Sequence, residues 1–322
     1  MTQLATADEP LAGRRANPRG AAFERGFEIL CFAAATMLLA ALGGVVVSLL
    51  IGGWPAFAKF GPGFFVNSTW DPVAEVFGAA GPIVGTLITA ALAMLISVPV
   101  AFGVSFFLVE MCPTMLRRPI GTAVELLAGI PSIIYGMWGL FVFAPMFSKY
   151  VQIPLMTSAP PGSLMEKLVQ GIPNGSGILS ASIILAIMVL PFMAATLREL
   201  LLTVPPQVRE SAYGLGATTR EVVMKVTLPY VRRGAIGAVM LGLGRALGET
   251  MAVTFIIGNS HAFPKGLFDS GSTIASTIAN EFTEAAAGLH TAALIALGLI
   301  LFLITFAVLA LARLMLRNQA RL

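Results

Sequence analysis

Charge is the property this sequence has least of. Of its 322 residues, 11% are Asp, Glu, Lys or Arg, while 57% are hydrophobic. A soluble globular domain carries about 25% charged residues. Too little polar surface remains to cover a globule in water, so the composition disfavours a soluble protein and favours an integral membrane protein.

Cysteine and histidine are also scarce, and the common catalytic motifs do not occur. Cys31 and Cys112 form no C-x-x-C spacing, and His261 and His290 have no third ligand at metal spacing. We interpret both histidines as surface residues and expect neither a metal nor a cofactor. The sequence contains no P-loop, no G-x-S-x-G and no H-E-x-x-H. We therefore expect no catalytic residues and no enzyme activity in this chain.

Long apolar stretches are what the sequence has instead. A bilayer core about 30 Å thick is crossed by about 20 helical residues. Helices are expected because lipid cannot satisfy an open backbone. The sequence thus predicts an all-α integral membrane protein with six transmembrane helices. They are placed near 28–51, 81–109, 122–147, 176–197, 234–258 and 291–312.

Basic residues set the expected orientation. With the N-terminus inside, fifteen of the twenty Lys and Arg residues fall on inner segments and four fall on outer loops. Positive residues favour the cytoplasmic side. We therefore expect a multi-pass membrane protein with both termini in the cytoplasm. The remaining basic residue, Arg245, lies inside the fifth stretch.

One charged segment, 198–233, interrupts the apolar pattern. It predicts a short helix over 207–213 after two prolines, and a glycine-rich bend at 214–216. A second helix is predicted over 219–227, capped by Thr218 or Thr219 and ending before Pro229. The segment is either an ordinary amphipathic connector or a docking element.

Its spacing resembles the cytoplasmic EAA loop of the permease subunits of ABC importers, which reads Glu-Ala-Ala, three residues, Gly, nine residues, Ile-x-Leu-Pro. Ser211 replaces one Ala and Val226 replaces the Ile. The resemblance implies the type I ABC importer permease fold, with ATP hydrolysis on a partner chain that docks on this loop. Five residues match in register: Glu210, Ala212, Gly216, Leu228 and Pro229.

Arg245 and Glu249 are two charges within the fifth stretch, and their i,i+4 spacing predicts one shared helix face. An ionisable residue at mid-membrane costs about 2.5–3.5 kcal/mol, so it usually faces a water path or another charge. The two residues either form a structural ion pair or serve an anion pathway. In the second case Arg245 offers parallel hydrogen bonds to an oxyanion such as phosphate, while Glu249 positions it and weakens its hold.

The stretch from Gly244 to Asn259, GRALGETMAVTFIIGN, resembles the signature of PstC-type permeases of phosphate-specific ABC importers. The segment 129–136, GIPSIIYG, is also similar to that family. The resemblance implies a substrate pathway at Arg245, Glu249 and Thr250. It further implies a PstA-like permease subunit, two PstB-like ATPase subunits and a PstS-like phosphate-binding protein, periplasmic or lipid-anchored.

This resemblance also suggests a domain organisation. We expect a cytoplasmic tail over 1–27, the first helix and a periplasmic loop over 28–80, a permease core over 81–313, and a tail over 314–322. Within the core, Pro131 predicts a kink. Glu125 either reaches the interface, pairs with Arg117 or Arg118, or takes part in gating.

Two other functions remain open. One is an ABC permease for a different oxyanion, such as sulfate or molybdate. The other is an ATP-independent anion carrier or channel, for which internal inverted repeats would be expected and are not seen in the sequence.

Overall fold

The computed structural model describes the backbone of residues 18–318 and the side chains of 24–314. Of the predicted tails, 1–27 and 314–322, residues 1–17 and 319–322 lie outside the described residues. The backbone of 18–27 and 314–318 is helical. The chain divides into two compact units, Met1–Ile51 and Gly52–Leu322. The described part of the first is one apolar helix.

The described residues are mostly helical, with one two-stranded antiparallel hairpin that pairs Trp70 with Phe77. The elements from the N-terminus are α1 Pro18–Phe60, α2 Gly63–Val66, β1 Trp70–Asp71, β2 Val76–Phe77, α3 Ala80–Phe106, α4 Thr114–Ala128, α5 Ser132–Trp138, α6 Ala144–Phe147, α7 Ile153–Ser158, α8 Leu164–Leu168, α9 Ile178–Leu202, α10 Pro206–Gly214, α11 Thr219–Glu221, α12 Leu228–Leu247, α13 Met251–Thr254, α14 Ile274–Glu281 and α15 Leu289–Asn318. The π-helical turns are Phe107–Met111, Gly139–Phe143, Ser148–Gln152 and Val222–Thr227.

Helix α9 forms the centre of the second unit, because α3, α4 and α12 all pack along it. The main buried cluster draws its side chains from α3, α9, α12 and the chain after α13, with Ile184, Met193 and Ile256 fully buried. A second cluster joins Phe64 and Phe77 to α14 and α15. Together the two clusters join α3, α9, α12, α14 and α15.

Most of the predicted spans have a counterpart. Four described helical stretches are long and apolar enough to cross a bilayer: Glu24–Phe60, Ala80–Met111, Ile178–Leu202 and Leu289–Leu314. The pair Thr114–Ala128 and Ser132–Ser158 is a possible fifth span, bent by 88°. The break falls just before Ser132, so the kink predicted from Pro131 is confirmed.

The expectation of one apolar helix over 234–258 is wrong. Helix α12 begins earlier, carries Arg232, Arg233 and Arg245, and ends at Leu247. After the single turn of α13, the chain continues without regular structure to α14. Sequence hydropathy merged a helix end, a break and a loop into one apolar stretch.

Close packing of α3 against the loop before α14 depends on glycine. A Cβ atom at Gly85 would overlap the carbonyl oxygen of Ser272, whereas one at Gly103 on the same helix would meet nothing within 4 Å. We expect Gly85→Ala to lower the free energy of unfolding by about 3 kcal/mol, as overpacking does. Thermal unfolding of the detergent-solubilised protein measures this, with Gly103→Ala as the matched control. Equal melting temperatures for the two variants would contradict the prediction.

The sequence suggested that the two histidines are independent surface residues, but in the structure they share one partner. Both ring Nε2 atoms face the carboxylate of Glu281, at 3.3 Å for His261 and 2.8 Å for His290. The indole N–H of Trp70 donates to the same carboxylate at 2.6 Å, and its ring stacks on His261. Residues distant in sequence thus tie the hairpin, α14 and α15 together.

This cluster predicts a pH dependence of stability. Burial lowers the pKa of His261, and the Glu281 carboxylate partly opposes that shift. The folded state therefore favours the neutral ring, while the unfolded chain takes up a proton near pH 6.5. The neutral His261 ring therefore contributes its full stability above about pH 6.5. That contribution is lost as the pH falls from there towards the lower pKa that His261 has in the folded state.

We expect the melting temperature to fall between about pH 7.5 and pH 5.5, and His261→Gln to reduce that fall. The other ionisable groups facing His261, Glu281 and His290, remain in the variant. His290 is the only other histidine in the sequence, and the variant leaves it in place. A fall of the same size in the variant would disprove the assignment to His261.

Candidate functional site

Arg245 lies in the last turn of α12, where the helix stops. Gly248 caps the helix, and residues 248–250 leave helical geometry before α13 begins at Met251. Arg245 and Glu249 therefore do not share one helix face, and that prediction is wrong. The i,i+4 relation requires a continuous helix, and the chain breaks between the two residues.

Glu249 contacts the backbone rather than Arg245. Its Oε1 accepts a hydrogen bond from the N–H of Ala252 at 3.3 Å, at the start of α13. None of the ion pairs among residues 24–314 includes Arg245 or Glu249. The structural ion pair, one of the two alternatives that the sequence left open, is thus absent from the described side chains. Thr250, the third predicted pathway residue, is half-buried at the same break.

The guanidinium of Arg245 is half-buried, and it makes no ion pair or hydrogen bond with the side chains that the structure describes. Its carbon lies 5.6 Å from the ring centroid of Phe192 on α9, a cation–π contact. Its Nε is buried without a hydrogen-bond partner among the described residues. Tyr135 of α5 lies close enough to interact electrostatically with the Arg245 guanidinium, and its own hydroxyl donates to the carbonyl of Leu127. Arginine carries five N–H donors, so this side chain can still bind an anion.

The predicted docking segment folds largely as expected. Helix α10 corresponds to the first predicted helix, and Gly216 forms the bend with φ +84°. Thr218 caps the second helix through a reciprocal pair of hydrogen bonds with Glu221. The carboxylate of Glu221 accepts hydrogen bonds from the Thr218 backbone N–H, the Lys225 ammonium and the Thr218 hydroxyl. These bonds lower the pKa of Glu221, and the one from the backbone N–H has the largest effect.

The second helix does not end before Pro229, which corrects another prediction. It passes through the π-helical turn Val222–Thr227 into α12, where Pro229 occupies the first turn. Proline lacks the N–H that would continue the hydrogen-bond ladder, and the turn that precedes it is π-helical rather than α-helical. The matched residues Glu210, Gly216 and Pro229 are exposed, whereas Ala212 and Leu228 are half-buried. We call these five residues the docking surface.

Two ion pairs near this surface were not predicted. Arg198 pairs with Glu125 at 2.7 Å, so Glu125 does not pair with Arg117 or Arg118. Arg209 pairs with Glu110 at 3.1 Å. The two residues are 73 positions apart in the first pair and 99 positions apart in the second. The only available sequence signal was a lone acidic residue at the end of an apolar stretch.

Comparison with known proteins places the chain in a family. Residues 107–320 match the family described as binding-protein-dependent transport system inner membrane component. The match covers more than half of the sequence, and the chain belongs to this family. It is therefore a multi-pass membrane protein of the permease class.

More specifically, the chain is similar to proteins named phosphate transport system permease protein PstC. That of Mesorhizobium japonicum is 56% identical over 293 residues, which are 90% of this chain and 89% of that protein. That of Haemophilus influenzae is 52% identical over 285 residues, 88% of this chain and 90% of that protein. The predicted PstC-type resemblance is confirmed.

Solved structures show the same fold. A chain of the bacterial alginate ABC transporter, in complex with an alginate pentasaccharide-bound periplasmic protein, superposes with a TM-score of 0.60. It covers 92% of this chain and 96% of its own length, at 16% identity. A chain of the inward-facing MetNI methionine ABC transporter gives 0.51 at 19% identity, covering 78% of this chain and 99% of its own. The all-α, type I ABC importer permease fold is confirmed.

Proposed function

We propose that this chain is a permease subunit of an ABC importer that moves inorganic phosphate across the bacterial cytoplasmic membrane. The observation that carries the proposal is the guanidinium of Arg245, which has no ion-pair or hydrogen-bond partner among the described residues and lies at a helix break inside the membrane domain. Similarity to PstC permeases over about nine-tenths of the chain supports phosphate as the substrate. ATP hydrolysis belongs to a separate subunit.

The proposed assembly follows from the family. A PstA-like permease forms the second half of the pore, two PstB-like ATPase subunits lie in the cytoplasm, and a PstS-like protein delivers phosphate from outside. The distribution of Lys and Arg supports cytoplasmic termini and a cytoplasmic docking segment. The surface formed by Glu210, Ala212, Gly216, Leu228 and Pro229 contacts an ATPase subunit. The loops between α1 and α3, and between α12 and α15, face the binding protein.

Transport proceeds by alternating access in this proposal. ATP binding brings the ATPase subunits together and moves the docking segment, which opens the pore outward. Phosphate enters and binds transiently to Arg245, with Glu249 and Thr250 beside it at the break. Because one cation with one cation–π neighbour makes a weak site, the anion is not trapped. Hydrolysis then returns the pore to the inward-open state.

Uptake of labelled phosphate into proteoliposomes tests the function. The chain is reconstituted with its PstA-like and ATPase partners, with the binding protein outside and ATP inside. We expect uptake that requires ATP and is unaffected by excess sulfate or molybdate. Inhibition by those anions, together with their own uptake, would indicate a different oxyanion importer. Uptake without ATP would indicate a carrier or channel and reject the proposal.

A further inference from the structure

A partly buried ion pair links α10, the first helix of the docking segment, to the end of α3. The guanidinium Nη1 of Arg209 lies 3.1 Å from Oε1 of Glu110, and Nη2 donates to the carbonyl of Val204 at 3.1 Å. The side chain of Glu110 is only 7% exposed and that of Arg209 is 18% exposed. This arginine thus makes a two-point contact that orients α10.

The pair rests on a small apolar cluster. Glu110 belongs to the π-helical turn Phe107–Met111 that ends α3. Val109 beside it packs with side chains from the end of α9, the following turn and the start of α12; these are Leu201, Val204 and Val231. A charge left unpaired in such a setting is strongly unfavourable. Movement of α10 that separated the two charges would be opposed, so α10 and the end of α3 move together.

The same pair lies next to the surface predicted to meet the ATPase. A cavity of about 360 Å³ opens beside it, lined by Glu110, Arg117, Arg209, Glu210 and Tyr213. Glu210 is the first residue of the docking motif and follows Arg209 directly. A force applied at Glu210 therefore reaches Arg209 through one peptide bond and Glu110 through the ion pair.

The other ion pairs at this end differ. Arg198–Glu125 joins α9 to α4, Arg198–Glu199 lies within α9, and Lys225–Glu221 lies within the second helix of the segment. Each contains a carboxylate side chain that is at least 44% exposed, and none includes a residue of α10. Among the described ion pairs, only Glu110–Arg209 connects α10 to a long apolar helix.

From Glu110 the path continues to the candidate substrate site. Helix α3 packs along α9 and α12, and α12 carries Arg245. We propose that the Glu110–Arg209 pair transmits the movement of α10 to α3 and so couples ATP hydrolysis to phosphate translocation. This inference rests on the proposed function. Both residues are positioning residues, since neither contacts substrate.

The test measures phosphate transported per ATP hydrolysed by the complete reconstituted complex. We compare the unmodified chain with Glu110→Gln, Arg209→Gln and Arg209→Lys, and use Glu125→Gln as the matched control. Glu110→Gln and Arg209→Gln should retain bound ATPase and continue to hydrolyse ATP, while phosphate moved per ATP falls about tenfold. Arg209→Lys keeps the charge and should restore most of the ratio. Glu125→Gln should leave it unchanged.

Each other outcome has a defined meaning. An unchanged ratio in Glu110→Gln would overturn the inference. Loss of bound ATPase in both Gln variants and in Arg209→Lys would also overturn it, because the pair would then only keep α10 in shape. A complex of the unmodified chain that hydrolyses ATP without moving phosphate would reject the proposed function first, and the inference with it.

Discussion

Replacing Arg245 with alanine is expected to abolish phosphate uptake while the transporter still assembles. Arg245 donates no hydrogen bond among the described residues, so its removal leaves no protein acceptor unpaired. A hydrogen bond to a charged group contributes about 1.5–3 kcal/mol, and arginine can supply two to one oxyanion. Losing both predicts a fall in uptake of at least about 100-fold. Binding-protein-dependent uptake in proteoliposomes is the measurement.

Arg233→Ala provides the matched control, because Arg233 lies on the same helix but is exposed at its other end. Arg245→Lys retains the charge without the planar fork and should show intermediate uptake. Copurification of the partner subunits establishes that each variant assembles. Normal uptake in assembled Arg245→Ala would reduce this residue to a packing role against Phe192, and phosphate would have to cross elsewhere.

Replacing Gly216 with valine is expected to weaken binding of the ATPase subunit to the docking segment. Gly216 has φ +84°, a left-handed conformation that a β-branched residue adopts only with strain. A Cβ at this position would meet no atom within 4 Å, so the backbone rather than crowding causes the effect. Strain of about 1–3 kcal/mol should reshape the bend between α10 and the second helix. We expect a fall in bound ATPase and a loss of transport of about tenfold or more.

Gly214→Val is the matched control for this variant. Gly214 lies two residues away, has no left-handed φ, and also has open space around its Cβ position. The same side chain is thus introduced on the same surface without the strain. Quantifying ATPase retained on the purified membrane subunits separates the two variants. Equal retention would show that the bend does not determine docking.

The local elements of the docking segment could be predicted because their signals are local. Two prolines start α10, a glycine in a left-handed conformation ends it, and the Thr218–Glu221 spacing is a capping box. The kink at Pro131 follows from the missing N–H of proline. The end of the second helix was predicted wrongly, because residue composition does not indicate the π-helical turn that continues the helix through Pro229.

The tertiary contacts could not be predicted in this way. Arg198–Glu125 and Arg209–Glu110 join residues far apart in sequence, and no periodicity encodes which basic residue meets which acidic one. The prediction for Arg245 and Glu249 failed differently. Apolar residues continue past Gly248, so hydropathy gave no reason to end α12 there. Their candidate role came from the rarity of charge within lipid, which is independent of helix continuity.

The break at Gly248 has an electrical consequence. Arg245 lies at the end of α12 where unpaired carbonyl groups concentrate partial negative charge, while Glu249 accepts a hydrogen bond from a backbone amide. Each charge is thereby compensated by the main chain next to it, and neither neutralises the other. In the proposed mechanism, an anion that arrives at Arg245 has no carboxylate to displace, and one that departs leaves no broken side-chain pair behind. Binding and release of the anion would therefore leave the ion pairs of the described residues unchanged.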